Sequence, residues 1–102
     1  MTRLVEIDDA AACTPALSVK VGDLLVFAAS GGRADTSSNA VDLLGVFVRA
    51  VVGTNGRVVV PIGPPNAVAF LAQHRGQTTI DVIGGEPFGA ATITTLTVIV
   101  ED

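Results

Sequence analysis

The stretch "RAVVGTNGRVVVPI", residues 49–62, is the strongest indication of fold in this chain. Its two valine-rich runs flank Asn55-Gly56, a pair that tolerates the positive φ angles of a tight hairpin turn. Valine is β-branched, so it loses side-chain freedom in a helix and packs well on a pleated sheet. The stretch therefore predicts a β-hairpin.

A two-residue period recurs on both sides of this hairpin. In the segment 94–100, Leu96, Val98 and Val100 share one face and threonines occupy most of the other. The segment 40–52 also has apolar residues at helical spacing, but Gly45 and five valines favour a strand, with a helix as the alternative. Further strands are predicted over residues 3–8, 16–21, 24–29, 67–72 and 77–83.

The composition fits a small all-β domain. The chain has 102 residues, of which 49% are hydrophobic, and it contains four Phe but no Trp or Tyr. Its core must therefore consist mainly of aliphatic side chains, and the length corresponds to one domain over residues 1–102. Short strands separated by turn residues predict an immunoglobulin-like antiparallel β-sandwich of seven or eight strands.

Charge and hydropathy exclude several functional classes. The formal net charge is −4 and the six basic residues are scattered, whereas binding to a phosphate backbone needs a clustered basic face. We therefore expect no nucleic-acid partner. No apolar run approaches ~18 residues, so we expect no membrane span, and the N-terminal residues show no signal-peptide pattern.

The potential metal ligands do not form a recognisable motif. Cys13 is the single cysteine, so it can form neither an internal disulfide nor a thiolate cluster. A blue-copper site needs two histidines, and the chain has one. A calcium site from Asp8, Asp9 and Asp23 stays an alternative, although these residues lack the spacing of an acidic calcium loop. We expect no metal and no cofactor.

Catalytic residues are equally sparse. His74 is the single histidine, so a serine–histidine–carboxylate arrangement would have to use it. The alternation of connections in an antiparallel sandwich predicts that His74 lies at the pole opposite Ser30, Ser37 and Ser38. A nucleophile and its base must lie within hydrogen-bond distance, so we predict that the protein is not an enzyme.

The lengths of the connections predict a binding surface. By the same alternation, the long segments 30–39, 63–66 and 84–92 fall at one pole, and the short turns 53–56 and 74–76 fall at the other. Gathering long loops at one end is how sandwich domains commonly form a recognition surface. The predicted partner-binding residues are Thr36, Ser37, Ser38, Gly63, Pro64, Pro65, Glu86, Pro87 and Phe88.

Within this set Phe88 is the predicted aromatic anchor of a contact. The alternative is that its ring folds back and closes the open end of the sandwich.

The order of segments resembles that of a known family. "VEIDDAAACTPALSVKVGDLLVFAAS" (5–30) and "AVAFLAQHRGQTTIDVIGGEPFGAATITTLTVIVED" (67–102) are similar to the frame of the chagasin-like cysteine-peptidase inhibitors. Those proteins are immunoglobulin-like sandwiches in which an acidic first strand leads to a "VKVGD" strand. The resemblance implies a cysteine peptidase as partner and a location outside the cytoplasm.

The resemblance also implies that three loops contact the peptidase. The family's N-P-T-T-G loop corresponds to residues 30–39, where Thr36 gives a loose match, and its glycine-rich loop keeps Gly63. Its R-P-W loop corresponds to Glu86-Pro87-Phe88, with the charge inverted and the indole replaced by a phenyl ring.

Two functions follow as predictions. The first is a non-enzymatic protein-recognition domain that uses the three loops, with peptidase inhibition as its specific form. The second is a structural or assembly module that forms a homo-oligomer or part of a coat, fibre or surface protein. The second is motivated by the apolar excess, which places Val51 and Ile99 on faces expected to meet water.

Overall fold

Ten strands make up nearly all of the regular structure in the computed structural model, which describes residues 3–13, 16–59, 65–84 and 90–102. A 3₁₀ turn, Ala10–Cys13, follows the first strand. The strands are β1 (Leu4–Ile7), β2 (Ala16–Lys20), β3 (Leu24–Phe27), β4 (Gly31–Ala34), β5 (Val41–Phe47), β6 (Val51–Val52), β7 (Val58–Val59), β8 (Ala67–Ala72), β9 (Gly76–Gly84) and β10 (Thr92–Glu101).

Eight of these strands form two four-stranded sheets, in the orders β1-β3-β8-β5 and β2-β10-β9-β4. The predicted all-β sandwich is thereby confirmed. The centre of each sheet is antiparallel, and each has one parallel pair at its edge, β1 with β3 and β2 with β10. The parallel pairs arise because the N-terminal segment contributes one edge strand to each sheet.

The strand predicted within residues 40–52 is confirmed, since β5 covers Val41–Phe47 and pairs with β8. The pairing register shifts between Leu43 and Gly45, which leaves Leu44 as the extra residue of a β-bulge. Gly45 has a φ of 145°, a value that favours glycine. The glycine inside this strand therefore produces the bulge and does not interrupt the sheet.

The inward residues of both sheets form one apolar core. Leu96, Val98 and Val100 of β10 are almost completely buried, as their alternation predicted. At the centre, the rings of Phe27 and Phe70 meet edge to face, with centroids 5.7 Å apart and planes at 88°. Two of the four phenylalanines thus supply the bulk that the aliphatic side chains surround.

The "VGD" turn after β2 joins four strands. The buried Asp23 carboxylate accepts hydrogen bonds from Arg3 Nη2 at 2.6 Å and from the Lys20 N–H at 2.8 Å. Gly22, with a φ of 95°, donates its N–H to the Ala72 carbonyl at 2.7 Å, and the Ala72 N–H donates to the Asp23 carbonyl at 2.9 Å. The hydrogen bonds from Arg3 lower the pKa of Asp23, and they outweigh the opposing effect of burial.

The core contains one unpaired polar atom among the described residues. Thr78 of β9 is 6% exposed, and its hydroxyl has no hydrogen-bond partner in the described part of the chain. We expect Thr78→Val to stabilise the protein by about 1 kcal/mol, because the isosteric change removes an unsatisfied hydroxyl. Urea unfolding measures the difference, and Thr79→Val on the exposed face of β9 is the matched control. A destabilised Thr78→Val variant would show that the hydroxyl has a partner.

Candidate functional site

Three connections meet at one end of the sandwich, which we call the loop pole. Here β3 and β5 end and β8 begins, with Phe27 opposite Val68 and Phe47 opposite Ala67. The end of β9 and the start of β10 reach the same pole, where Gly84 pairs with Thr92. Three connections therefore have their ends at the loop pole: the turn 28–30, the connection from β5 to β8 and the connection from β9 to β10.

The first of these connections is a short turn fixed against β9. Ser30 donates both its N–H, at 2.9 Å, and its hydroxyl, at 3.1 Å, to the carbonyl of Ile83. A shallow hollow of ≈ 260 Å³ lies beside this turn and brings residues of the first two connections together with the end of β9. It is lined by Ala28, Ala29, Ser30, Pro65, Asn66 and Gly84.

The second connection is held at its base by Asn66. The side chain of Asn66 accepts the Arg49 N–H at 2.6 Å and donates to the Arg49 carbonyl at 3.2 Å, while its backbone N–H donates to the Phe47 carbonyl at 3.2 Å. The Arg49 guanidinium then reaches Glu6 of β1 at 3.5 Å. The base of the segment 48–66 is therefore anchored to the sheet that contains β1.

The predicted hairpin forms within this segment. The strands β6 and β7 pair only with each other, and the Gly53 N–H donates to the Arg57 carbonyl at 2.8 Å across the turn. Gly56 has a φ of 80°, and the Asn55 side chain accepts the Arg57 N–H at 3.1 Å. No non-glycine residue in the described ranges has a positive φ, so Gly56 alone supplies it here.

Three valine side chains of the hairpin face water. Val52 and Val58 lie opposite each other and are each 72% exposed, and Val59 is exposed as well. A hydrogen-bonded turn with exposed valines presents apolar area in a fixed conformation, which lowers the entropy cost of a contact.

The prediction of one long loop over residues 30–39 is wrong, because Gly31–Ala34 forms strand β4. In this strand Gly31 pairs with Ile83 and Ala34 with Ile80, so the chain leaves the loop pole and runs toward the opposite one. The segment 35–40 then lies beside the turn 73–75, where the Gln73 N–H donates to the Ala40 carbonyl at 2.9 Å.

The predicted alternation of connections is wrong for a related reason. The segment after β5 forms its own hairpin outside the two sheets, and β5 pairs directly with β8. The turn 53–56 consequently belongs to a segment that leaves from the loop pole, whereas the turn 74–76 stays at the opposite pole.

These two corrections place the described members of the predicted partner-binding set at opposite poles of the sandwich. Pro65 lies at the loop pole, and Thr36, Ser37 and Ser38 lie toward the opposite pole, in a turn where Ser37 donates to Asp35 from its N–H at 2.9 Å and its hydroxyl at 2.7 Å. The remaining predicted residues, Gly63, Pro64, Glu86, Pro87 and Phe88, lie outside the described residues.

The sequence prediction missed Ser30 as the centre of a loop-pole turn, the clamp residue Asn66 and the exposed hairpin valines. The signal for the hairpin is present in "VVGTNGRVVV", but valine-rich runs do not distinguish a hairpin outside the two sheets from strands that pack on the core. No local pattern marked Asn66, because its role depends on the distant Arg49.

The residues considered for catalysis and metal binding are placed as follows. The turn of His74 lies beside the segment of Ser38, and the His74 N–H donates to the Ala40 carbonyl at 3.3 Å, so the predicted separation from Ser37 and Ser38 is wrong. Within the described ranges, the imidazole of His74 has no hydroxyl or thiol hydrogen-bond partner, and no three acidic, histidine or cysteine side chains cluster as metal ligands.

No helix in the described part is long and apolar enough to cross a membrane.

Comparison with known proteins supports the fold alone. No protein-family model and no curated protein matches the chain. A solved structure described as "Solution Structure of Amebosin" is similar, with a TM-score of 0.54 over 97% of this chain and 98% of that one, at 13% sequence identity. At this identity the likeness concerns the arrangement of strands.

Proposed function

We propose that this chain is a non-enzymatic protein-recognition domain that contacts its partner through the loop pole. The observation that carries the proposal is the pair Val52 and Val58, each 72% exposed on a hairpin. The base of the segment that carries this hairpin is closed by Arg49 and Asn66, which contact Glu6 of β1 and the Phe47 carbonyl of β5. An apolar pair held in this way gains free energy when a partner covers it, because each buried CH₂ contributes about 0.8 kcal/mol.

The neighbouring connections extend this surface. The turn 28–30 is fixed by Ser30, and Gly84 and Thr92 hold the two ends of the connection 85–91 at the same pole. A partner cleft that accepts the hairpin would therefore meet two further segments beside it. Several segments of one rigid scaffold, each contributing a contact, are the usual design of a sandwich recognition site.

The specific form of the proposal is inhibition of a papain-type cysteine peptidase. It is supported by the resemblance to the chagasin-like family, whose inhibitory loops follow the same strands. At the loop pole, the candidates for those loops are the turn 28–30, the connection from β5 to β8 and the connection from β9 to β10. Thr36, which gave a loose match to the family's first loop, is not part of the proposed contact surface, because it belongs to the segment beyond β4.

We expect the purified protein to slow papain at micromolar concentration, and we expect Val52→Thr/Val58→Thr to weaken inhibition about tenfold. Threonine keeps the β-propensity of the hairpin while it replaces two exposed methyl groups by hydroxyls that would be desolvated in the complex. Titration of peptidase activity gives the inhibition constants.

The matched control is Leu4→Thr, because Leu4 is 57% exposed and lies at the opposite pole. No slowing of papain would remove the inhibitor form of the proposal. If the control variant weakened inhibition as strongly as the hairpin variant, the loop pole would not be the contact surface.

The second candidate is an assembly module. Leu44, Val46 and Phe47 of β5 are exposed apolar residues close in sequence to the hairpin, and a second copy could cover them. Ile99, which motivated this function from sequence, is half-buried, and the side chain of Val51 lies outside what the structure describes. Light scattering at high protein concentration separates the two functions, because a monomer contradicts assembly.

A further inference from the structure

A second surface lies away from the loop pole, between the edge strands of the two sheets. The strands β4 and β5 stand at neighbouring margins of the sandwich, and a groove of ≈ 550 Å³ runs between them. Its volume falls within the range of about 300–1,000 Å³ that is typical of ligand sites. No part of the proposed function uses this groove.

The floor of the groove is apolar. Ala34 and Leu43 are half-buried and pack against the core, and Val41 is 3% exposed. Solvent therefore reaches the edge of the hydrophobic core here, since no third strand of the described residues covers β4 and β5. An apolar side chain or an aliphatic stem would fill this space.

The rim of the groove carries negative charge. Arg33 is neutralised by Asp81, with Nη2 and Oδ2 3.1 Å apart. Asp35 and Asp42 also line the groove, and neither has a basic partner within 4 Å in the described part of the chain. Hydrogen bonds from Ser37 lower the pKa of Asp35, so its carboxylate is charged at neutral pH.

The edge of β5 is open to an added strand only over part of its length. Among the strands that the structure describes, none pairs with its outer margin. The bulge at Leu44 interrupts the regular spacing of backbone groups, as bulges commonly do at sheet edges. The regular portion, Val41–Leu43, lies next to the groove and can pair with about three residues of an extended peptide.

We propose that this groove binds an extended basic segment of a partner protein. The peptide backbone pairs with the edge of β5 at Val41–Leu43, and one arginine or lysine side chain enters the groove. Its methylene stem covers the apolar floor, and its cationic head lies between Asp35 and Asp42. Long basic side chains combine apolar burial with an exposed charge in this way.

The test uses the peptide acetyl-Val-Arg-Val-Arg-Val-amide and the same peptide with citrulline in place of arginine. We expect the arginine peptide to shift the backbone amide resonances of Val41–Leu43 and of residues 34–36 in heteronuclear NMR spectra. The citrulline peptide is expected to bind at least tenfold more weakly, because it lacks the charge. Raising NaCl from about 0.05 M to about 0.5 M should weaken the arginine peptide further.

Asp42→Asn is the diagnostic variant, because Asp42 is exposed and the change removes the charge while it keeps the size of the side chain. We expect it to raise the dissociation constant of the arginine peptide about tenfold, while the control Asp8→Asn leaves the constant unchanged. Equal binding of the citrulline peptide, or shifts confined to the loop pole, would overturn the proposal. Butylguanidinium binding as tightly as the peptide would also overturn it, because the occupant would then be a small cation.

Discussion

The Gly32→Ala variant is expected to have a free energy of unfolding about 2 kcal/mol below that of the unmodified chain. A Cβ at this position would lie 2.7 Å from Cζ and 3.2 Å from Cε2 of Phe70, and 3.1 Å from the carbonyl oxygen of Asp81. The Phe70 ring is completely buried and packed edge to face on Phe27, so it has little room to move away.

Gly31→Ala is the matched control for this prediction. A Cβ at Gly31 would meet the Cβ of Ile83 at 3.8 Å, an ordinary van der Waals contact. Alanine there also reduces the entropy of the unfolded chain, so we expect no loss of stability. Urea unfolding of the two variants measures the contrast, and equal midpoints would show that β4 can shift away from Phe70.

The Asp23→Asn variant is expected to lose about 2 kcal/mol of stability at pH 7, because a buried carboxylate gives up charge-assisted hydrogen bonds. The folded pKa of Asp23 lies below its ordinary value. The stabilisation by the carboxylate is therefore complete above about pH 4, the ordinary value, and is lost as the pH falls through the lower folded value.

Unfolding curves at several pH values check this prediction. The stability difference between the unmodified chain and Asp23→Asn should stay constant from neutral pH to about pH 5 and then narrow as the solution becomes more acid. Asp42→Asn, at an exposed position of β5, is the control and should change little at any pH. A difference that does not depend on pH would mean that the hydrogen-bond geometry matters and the charge does not.

Strands whose residues alternate strictly could be predicted from sequence. In β10 the inward residues Leu96, Val98 and Val100 are buried, because a period of two fixes the face of each side chain once one face meets the core. The hairpin turn at Asn55-Gly56 was also predictable, since the required positive φ is a property of one residue and its neighbours.

Features that depend on distant residues could not be predicted. The "VGD" sequence shows the turn, but the ion pair of Asp23 depends on Arg3, twenty residues earlier, which only the folded chain brings to this carboxylate. Likewise, the placement of Thr36, Ser37 and Ser38 depends on the register between β4 and β9. That register is set by packing between the sheets and leaves no periodic pattern in a four-residue strand.

The pair Gly31-Gly32 shows the difference between what the sequence determined and what only the tertiary structure decided. The sequence by itself determined that this is an all-β sandwich with an apolar hairpin, because strand period and turn chemistry are local properties. Only the tertiary structure decided which connections share a pole. Two adjacent glycines indicate a loop when taken alone, yet here they belong to a strand that pairs with β9. Glycine is needed at position 32 because Phe70 of the facing sheet lies where a side chain would be.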